Sequence, residues 1–217
     1  MMEKTISLII GYLFGCFLTA DVIAKKHTGH NASALGDTGN PGMANIMASL
    51  GFAPGIWTLA GDLGKCIIAS LISYALFRHT GRIVVLSAGL GCPIGHDFPF
   101  WRAFRGGKGV ATTSIAIVLY AFGFGLMANI AGMLVVFATR YLCIGGPVIP
   151  LSFAVMMALR KEREAAVLAV ILSVLSVKAH GSAIRGIRGG KTKQTDVIGA
   201  IRKKFGRHGE QTDGKKD

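Results

Sequence analysis

Apolar residues run in long blocks along this chain, and the polar residues gather between them. A helix needs about 20 apolar residues to cross the ~30 Å hydrocarbon layer of a bilayer. Thr5 to Ala24 meets that requirement with Asp21 as its single charge. Leu50 to Phe77 is longer and carries Asp62 and Lys65 near its middle, and Ile83 to His96 is a shorter third candidate. Val110 to Thr139 carries no charge at all. After Arg140 a further uncharged run extends from Tyr141 to Leu159, and the last block, Ala165 to Val177, follows the charged cluster Arg160-Lys161-Glu162-Arg163-Glu164. As one helix, Val110 to Thr139 would be about 45 Å long, which demands strong tilt. Gly123-Phe124-Gly125 offers a break into two short spans.

Charge decides between six and seven crossings. With seven, Lys25-Lys26, the Arg102 to Lys108 segment, Arg140 and the C-terminal tail share one side, which then holds 17 of the 24 Lys and Arg. The other side holds six: Lys4, Arg78, Arg82, Arg160, Lys161 and Arg163. Basic residues concentrate on the cytoplasmic side of membrane proteins. The expectation is therefore an all-α integral membrane protein with seven transmembrane helices, some short, N-terminus outside and C-terminus cytoplasmic. It would be a multi-pass protein of the plasma membrane.

Composition agrees. Hydrophobic residues make up 51% and charged residues 16%, against roughly 25% charged in soluble domains. This excludes a disordered chain, a nucleic-acid-binding domain and almost any soluble enzyme. The net charge of +13 is largely a tail effect, because residues 178–217 hold 11 of the 24 Lys and Arg against 4 of the 11 acids. The chain divides into a membrane domain over residues 1–190 and a basic cytoplasmic tail over 191–217. In the tail Val197, Ile198, Ile201 and Phe205 recur at helical spacing among Arg202, Lys203 and Lys204. That pattern reads either as a short amphipathic helix on the anionic leaflet or as a solvated tail, disordered from Gly206 onward. The four cysteines (Cys16, Cys66, Cys92, Cys143) sit in apolar stretches without metal-ligand spacing and read as small core residues.

Three polar, glycine-rich segments then fall together on the cytoplasmic face: Leu35 to Asn45, Gly95 to Thr112, and Lys178 to Gly190. In the second, Gly106, Gly107 and Gly109 let backbone N–H groups converge on an anion. Lys108 adds a cation, Arg102 and Arg105 offer a grip on a second phosphate, and the helix starting near Val110 presents its positive end. The alternative is a basic turn against lipid headgroups. In the first, Thr38, Asn40 and Asn45 offer neutral hydrogen-bonding groups around the turn Asn40-Pro41-Gly42; a plain turn before a capped helix is the competing reading. Asp62 and Lys65, three apart, share a helix face and suit either an ion pair inside the bundle or a site role. Asp21, nearer a helix end, reads as snorkelling to the interface. Of the six histidines, His96 reads as helix-end packing, and only His180 suits a general base facing a phosphate-rich pocket.

Taken in order, these segments resemble the bacterial acyl-phosphate:glycerol-3-phosphate acyltransferases of the PlsY type, from about Gly11 to Gly190. The shared pieces are Gly11-Tyr12-Leu13-Phe14-Gly15, Thr38-Gly39-Asn40-Pro41-Gly42 with Asn45, Asp62 with Lys65, and Arg140-Tyr141. The most specific is Gly95-His96 through Phe98-Pro99 to Arg105-Gly106-Gly107-Lys108-Gly109-Val110-Ala111-Thr112. The resemblance implies seven helices and transfer of a fatty acyl group from acyl phosphate to the 1-hydroxyl of glycerol 3-phosphate. Lysophosphatidic acid and phosphate would be the products, with no cofactor, metal or nucleic acid. The expected catalytic residues are Lys108, His180 and Asn45. The expected substrate contacts are Thr38, Gly39, Asn40, Gly42, Arg105, Gly106, Gly107, Gly109, Thr112 and Arg185. The sequence departs from the family pattern at Asp37, Ala48, Cys143, Ala183 and Thr192, which motivates a second reading: a weakened relative that binds or regulates, or that acylates another phosphorylated acceptor. A third, an organic-phosphate transporter, wants more polar groups at mid-membrane than Asp62 and Lys65.

Overall fold

The structure, a computed structural model, describes residues 1–192 and Gln194. Nine α-helices account for most of it: α1 (Met2–Gly15), α2 (Thr19–Thr28), α3 (Met43–Leu50), α4 (Phe52–Phe77), α5 (Ile83–Asp97), α6 (Val110–Tyr120), α7 (Phe122–Thr139), α8 (Leu142–Leu159) and α9 (Arg163–Arg188). Six helical stretches are long and apolar enough to cross a membrane, and α6 is a shorter apolar helix beside them. The sequence pattern for an integral membrane bundle therefore holds at the level of the helices. The amphipathic pattern proposed for the tail lies outside the described residues.

Contacts at the helix ends sort the connections into two groups. Lys4 pairs with Glu164, His79 lies 3.8 Å from Glu3, and the Tyr120 hydroxyl donates to Glu162 at 2.9 Å. The chain start and the α4–α5, α6–α7 and α8–α9 turns thus sit at one end of the bundle. At the other end Arg102 reaches Asp21 and Ser33.

The axis of the bundle is the α1–α5 crossing. Gly11 and Gly15 on α1 and Gly91 and Gly95 on α5 each lie so close to the opposite helix that a Cβ would strike its backbone, at Ala88, Cys92, Leu8 and Tyr12 respectively. With lipid outside, helices gain little from burying apolar surface, and small residues four apart let backbones approach instead. A second core joins α5 to α9 through Leu86, Ile117, Phe153, Met157 and Leu172.

Three elements differ from the sequence-based expectation. The first span is not one helix, because it breaks between Gly15 and Thr19. A break at membrane depth needs donors for the freed carbonyls, and the Lys65 ammonium supplies them, donating to the Gly15 carbonyl at 3.3 Å and to the Phe17 carbonyl at 2.8 Å. The Val110–Thr139 stretch does divide in two, but at Ala121 rather than within Gly123-Phe124-Gly125. Gly125 lies one turn later, where a Cβ would press on the backbone of Ile117 and Val118, so its role is the close return of α7 onto α6. Finally, Lys178 to Gly190 is not a loop. α9 continues to Arg188, and its end is held by Lys191 N–H on the Gly186 carbonyl and Thr192 Oγ1 on the Ala183 carbonyl, at 2.9 and 2.6 Å.

Candidate active site

The segment after α5 folds back on the end of that helix. Gly106 N–H donates to the Asp97 carbonyl and Gly107 N–H to the His96 carbonyl, both at 2.9 Å. These two amides are therefore engaged within the protein, and the expectation that they face an anion is corrected. Side chains at the two positions would collide with the His96 carbonyl and the His96 ring respectively. The glycines let the strand of loop lie flat on α5 so that Lys108 emerges at a fixed height. Gly109 follows in the left-handed region, φ +59°, with the Asp97 carboxylate against it. There α6 begins. Its first-turn amides at Val110, Ala111 and Thr112 have no helical acceptor, as at any helix N-terminus, and Thr112 is buried with its hydroxyl donated to the Gly109 carbonyl at 3.0 Å.

Lys108 itself is half-buried, and its ammonium has no hydrogen bond or salt bridge among the described residues. Burial lowers its pKa from the ordinary lysine value, and the neighbouring Asp97 and Cys143 only partly offset this. An exposed lysine without a partner is solvated by water; a half-buried one beside a helix N-terminus is a place for an anion.

His180 approaches the same region from α9. It is almost wholly buried at 1% exposure, and its ring lies across Gly146 of α8 from the Val110 side chain. Its Nδ1 is 2.9 Å from the Ser176 carbonyl. A carbonyl only accepts, so Nδ1 carries the proton and Nε2 keeps its lone pair in neutral imidazole. His96 is fixed in the opposite sense. The Lys65 ammonium donates to its Nδ1 at 2.8 Å, so Nε2 carries the proton and lies toward Gly107. Lys65 is also paired with Asp62 at 2.9 Å, both side chains 4% exposed. The expected intramembrane pair is thus real, and it joins the α1–α2 break to the Lys108 loop through His96. Helix-end packing is too small a description of His96.

The first loop is organised by Asn45, 6% exposed. Its amide nitrogen donates to the Ala32 and Leu35 carbonyls at 3.2 and 3.0 Å, and its Oδ1 accepts from Thr38 at 3.2 Å. Thr38 in turn accepts the Asn40 N–H at 3.4 Å. Gly39 packs over the Ser33 carbonyl, and Gly42 opens α3. This loop is tied to the second by Arg102, 3.0 Å from Asp21 and 2.9 Å from the Ser33 hydroxyl. Asp21 is buried and accepts the Ala32 N–H at 2.9 Å, so it does not snorkel, and Arg102 is a clasp rather than a free phosphate grip. Arg105 and Arg185 are exposed. Among the described residues no three His, Cys, Asp or Glu side chains gather as metal ligands.

A sequence profile of the family described as glycerol-3-phosphate acyltransferase matches residues 5–190. The chain belongs to that family. The protein is 36% identical over 205 residues to glycerol-3-phosphate acyltransferase 1 of Lactobacillus johnsonii, a match covering 94% of this chain and 98% of that one. It is 30% identical over 190 residues to the glycerol-3-phosphate acyltransferase of a Thermoanaerobacter species, covering 87% and 94%. Its fold is that of the crystal structure of PlsY, an integral membrane glycerol 3-phosphate acyltransferase, in the glycerol 3-phosphate form, with a TM-score of 0.78 at 23% identity over 91% of this chain and 98% of that one. The form with lysophosphatidic acid gives a TM-score of 0.75 at 22% identity. The resemblance carried by the loops is therefore a family membership, and this is a multi-pass membrane enzyme of that family.

Within it, the structure brings Lys108, Gly109, Thr112 and His180 to one place and holds Thr38, Gly39, Asn40, Gly42 and Asn45 in a second loop clasped to it. Sequence reasoning passed over Asp97, though it is the sole acid between Asp62 and Glu162. It gave no role to Tyr12 or Trp101, which fasten the loop to α1 by donating to the Phe98 and Cys16 carbonyls at 3.1 and 2.8 Å.

Proposed function

We propose that the protein transfers a fatty acyl group from acyl phosphate to the 1-hydroxyl of glycerol 3-phosphate, at the cytoplasmic face of the plasma membrane. The observation that carries this is the half-buried Lys108 ammonium, unpaired among the described residues, at the start of α6. Family membership supports the acceptor; the chemistry of the site supports the donor. An acyl phosphate is a mixed anhydride whose leaving group is already a good one, so positioning and charge stabilisation carry most of the catalysis. Lys108 and the amides of Val110 and Ala111 would hold the phosphate of the donor. The glycerol 3-phosphate 1-hydroxyl oxygen attacks the acyl carbon, the bond from that carbon to the phosphate oxygen breaks, and inorganic phosphate leaves. His180, whose Nδ1 hydrogen bond to the Ser176 carbonyl leaves the Nε2 lone pair free in neutral imidazole, would receive the hydroxyl proton; a substrate phosphate oxygen is the other acceptor. Thr38 and Asn40 would orient the acceptor, with Asn45 holding the loop that presents them, and Arg105 and Arg185 would attract its phosphate at the rim. The basic side of the chain, which includes both loops, would face the cytoplasm.

A weakened relative is the second reading. The departures at Ala183 and Thr192 touch each other through the Thr192 hydroxyl, so one patch of the α9 end differs from the family pattern. Purified protein given labelled glycerol 3-phosphate with either acyl phosphate or acyl-CoA separates these. Lysophosphatidic acid from acyl phosphate alone is the expected result. Product from acyl-CoA alone contradicts the donor assignment, and binding of glycerol 3-phosphate without turnover supports the weakened relative.

A further inference from the structure

Asp97 is the last residue of α5 and is buried, 5% exposed. Both of its carboxylate oxygens press on Gly109, where a Cβ would come within 2.9 Å of Oδ1 and 3.1 Å of Oδ2. Oδ1 is shut off from solvent and has no hydrogen bond among the described residues. A buried oxygen without a donor costs free energy, so its surroundings must supply the compensation.

Two sources lie beside it. Gly109 stands at the N-terminal end of α6, where the helix dipole favours negative charge. Two cations also face the carboxylate, Lys65 from α4 and Lys108 from the loop. The Lys65 ammonium is committed to Asp62, to the Gly15 and Phe17 carbonyls and to His96. Lys108 is committed to nothing among the described residues, and it stands outside ion-pair contact with Asp97 although Gly109, its direct neighbour in the chain, lies on that carboxylate. The left-handed turn at Gly109, φ +59°, lets the acid sit behind the lysine without capturing it. We propose that Asp97 is a positioning residue for Lys108, its carboxylate holding the half-buried side chain as a cation whose N–H groups stay free for a substrate phosphate. The inference rests on the phosphate-holding role of Lys108 given above.

Facing Lys108 are Asp97 from α5, Cys143 from α8 and His180 from α9. Facing Asp97, besides the two lysines, are Asp62 from α4 and Cys92 from α5. Asp62 is engaged by Lys65. An ordinary thiol carries no charge at pH 7, and an ordinary imidazole only a partial positive one. Asp97 is therefore the negative charge that acts on Lys108. Burial favours the neutral amine and a nearby carboxylate favours the ammonium, so removing the carboxylate must lower the pH at which Lys108 loses its proton.

Trace acetylation with acetic anhydride reads that charge without any turnover, because only the neutral amine reacts. In the whole protein in micelles, acetylation of the Lys108 peptide against pH, followed by mass spectrometry, gives the titration midpoint. Lys4, at the opposite end of the bundle, is the internal control. In Asp97→Asn the Lys108 midpoint should fall by about one pH unit, the lower end of the range for an opposite charge close by. The alkaline limb of kcat/KM with palmitoyl phosphate should move down with it. Should Asp97→Asn not fold, Asp97→Ser gives the same comparison. A Lys108 midpoint that stays or rises in the folded variant overturns the proposal, and so does activity lost equally at every pH, which a merely structural role would give. A lowered midpoint in a protein that forms no lysophosphatidic acid keeps the role of Asp97 and sinks the acyl-transfer reading instead.

Discussion

Replacing Lys65 by methionine keeps most of the side-chain length while deleting the ammonium. Four groups then lose a partner at once: the Asp62 carboxylate at 2.9 Å, the Gly15 and Phe17 carbonyls at 3.3 and 2.8 Å, and His96 Nδ1 at 2.8 Å. A buried charge left without its partner costs about 3–5 kcal/mol, and each orphaned carbonyl about 1–3 kcal/mol. Folded proteins are stable by only about 5–15 kcal/mol, so Lys65→Met should unfold much of the protein under mild conditions. Asp62→Asn with Lys65→Met removes the stranded charge but not the carbonyl deficit. The double variant should therefore be more stable than the Lys65→Met single by about 2 kcal/mol or more, a coupling that a double-mutant cycle isolates. Unfolding in mixed micelles at rising dodecyl sulfate fraction gives all four corners. Additive single effects, or a Lys65→Met protein within about 1 kcal/mol of the parent, would refute the role of Lys65 as the donor for the broken span.

Other variants test other parts of the account. Gly15→Ala should destabilise by about 1–3 kcal/mol, as overpacking does, because the new methyl overlaps the Cys92 carbonyl, whereas Gly64→Ala should be neutral or stabilising because its methyl meets open space; thermal unfolding compares them. Asn45→Ala removes two donors and one acceptor from the first loop, each hydrogen bond worth about 0.5–1.5 kcal/mol, and should raise KM for glycerol 3-phosphate more than KM for the acyl donor. Since burial lowers the Lys108 pKa, its ammonium is lost at a lower pH than that of an ordinary lysine. The pH profile of kcat/KM should thus fall on its alkaline side below the usual lysine range, and Lys108→Arg, if active, should move that limb to higher pH. A limb unmoved by the arginine assigns it to another group.

The spans were legible because hydrophobic blocks are a property of sequence alone. The Asp62–Lys65 pair was legible for a similar reason, since three-residue spacing on one helix fixes a shared face. What Lys65 does with its other donors was not legible, because its carbonyl partners lie 48 and 50 residues away. The break in the first span was hidden for the same reason: nothing between Gly15 and Thr19 signals a break as Pro does, and the compensation comes from α4. Gly106 and Gly107 illustrate the limit from the other side. Glycines beside a lysine do mark a special backbone, yet whether their N–H groups face a ligand or the preceding helix depends on how the loop folds back. Asp21 and Arg102, 81 residues apart and each read singly, became a clasp only once the two loops stood at one end of the bundle.

The central claim is that Lys108 holds the leaving phosphate of an acyl phosphate while glycerol 3-phosphate attacks. Parallel measurement of inorganic phosphate release and lysophosphatidic acid formation, in the parent and in Lys108→Ala, tests it most directly. The parent should form equal amounts of the two products, and Lys108→Ala should lose both by about a hundredfold or more, the scale of a removed transition-state donor. Products formed at an undiminished rate by Lys108→Ala would contradict it.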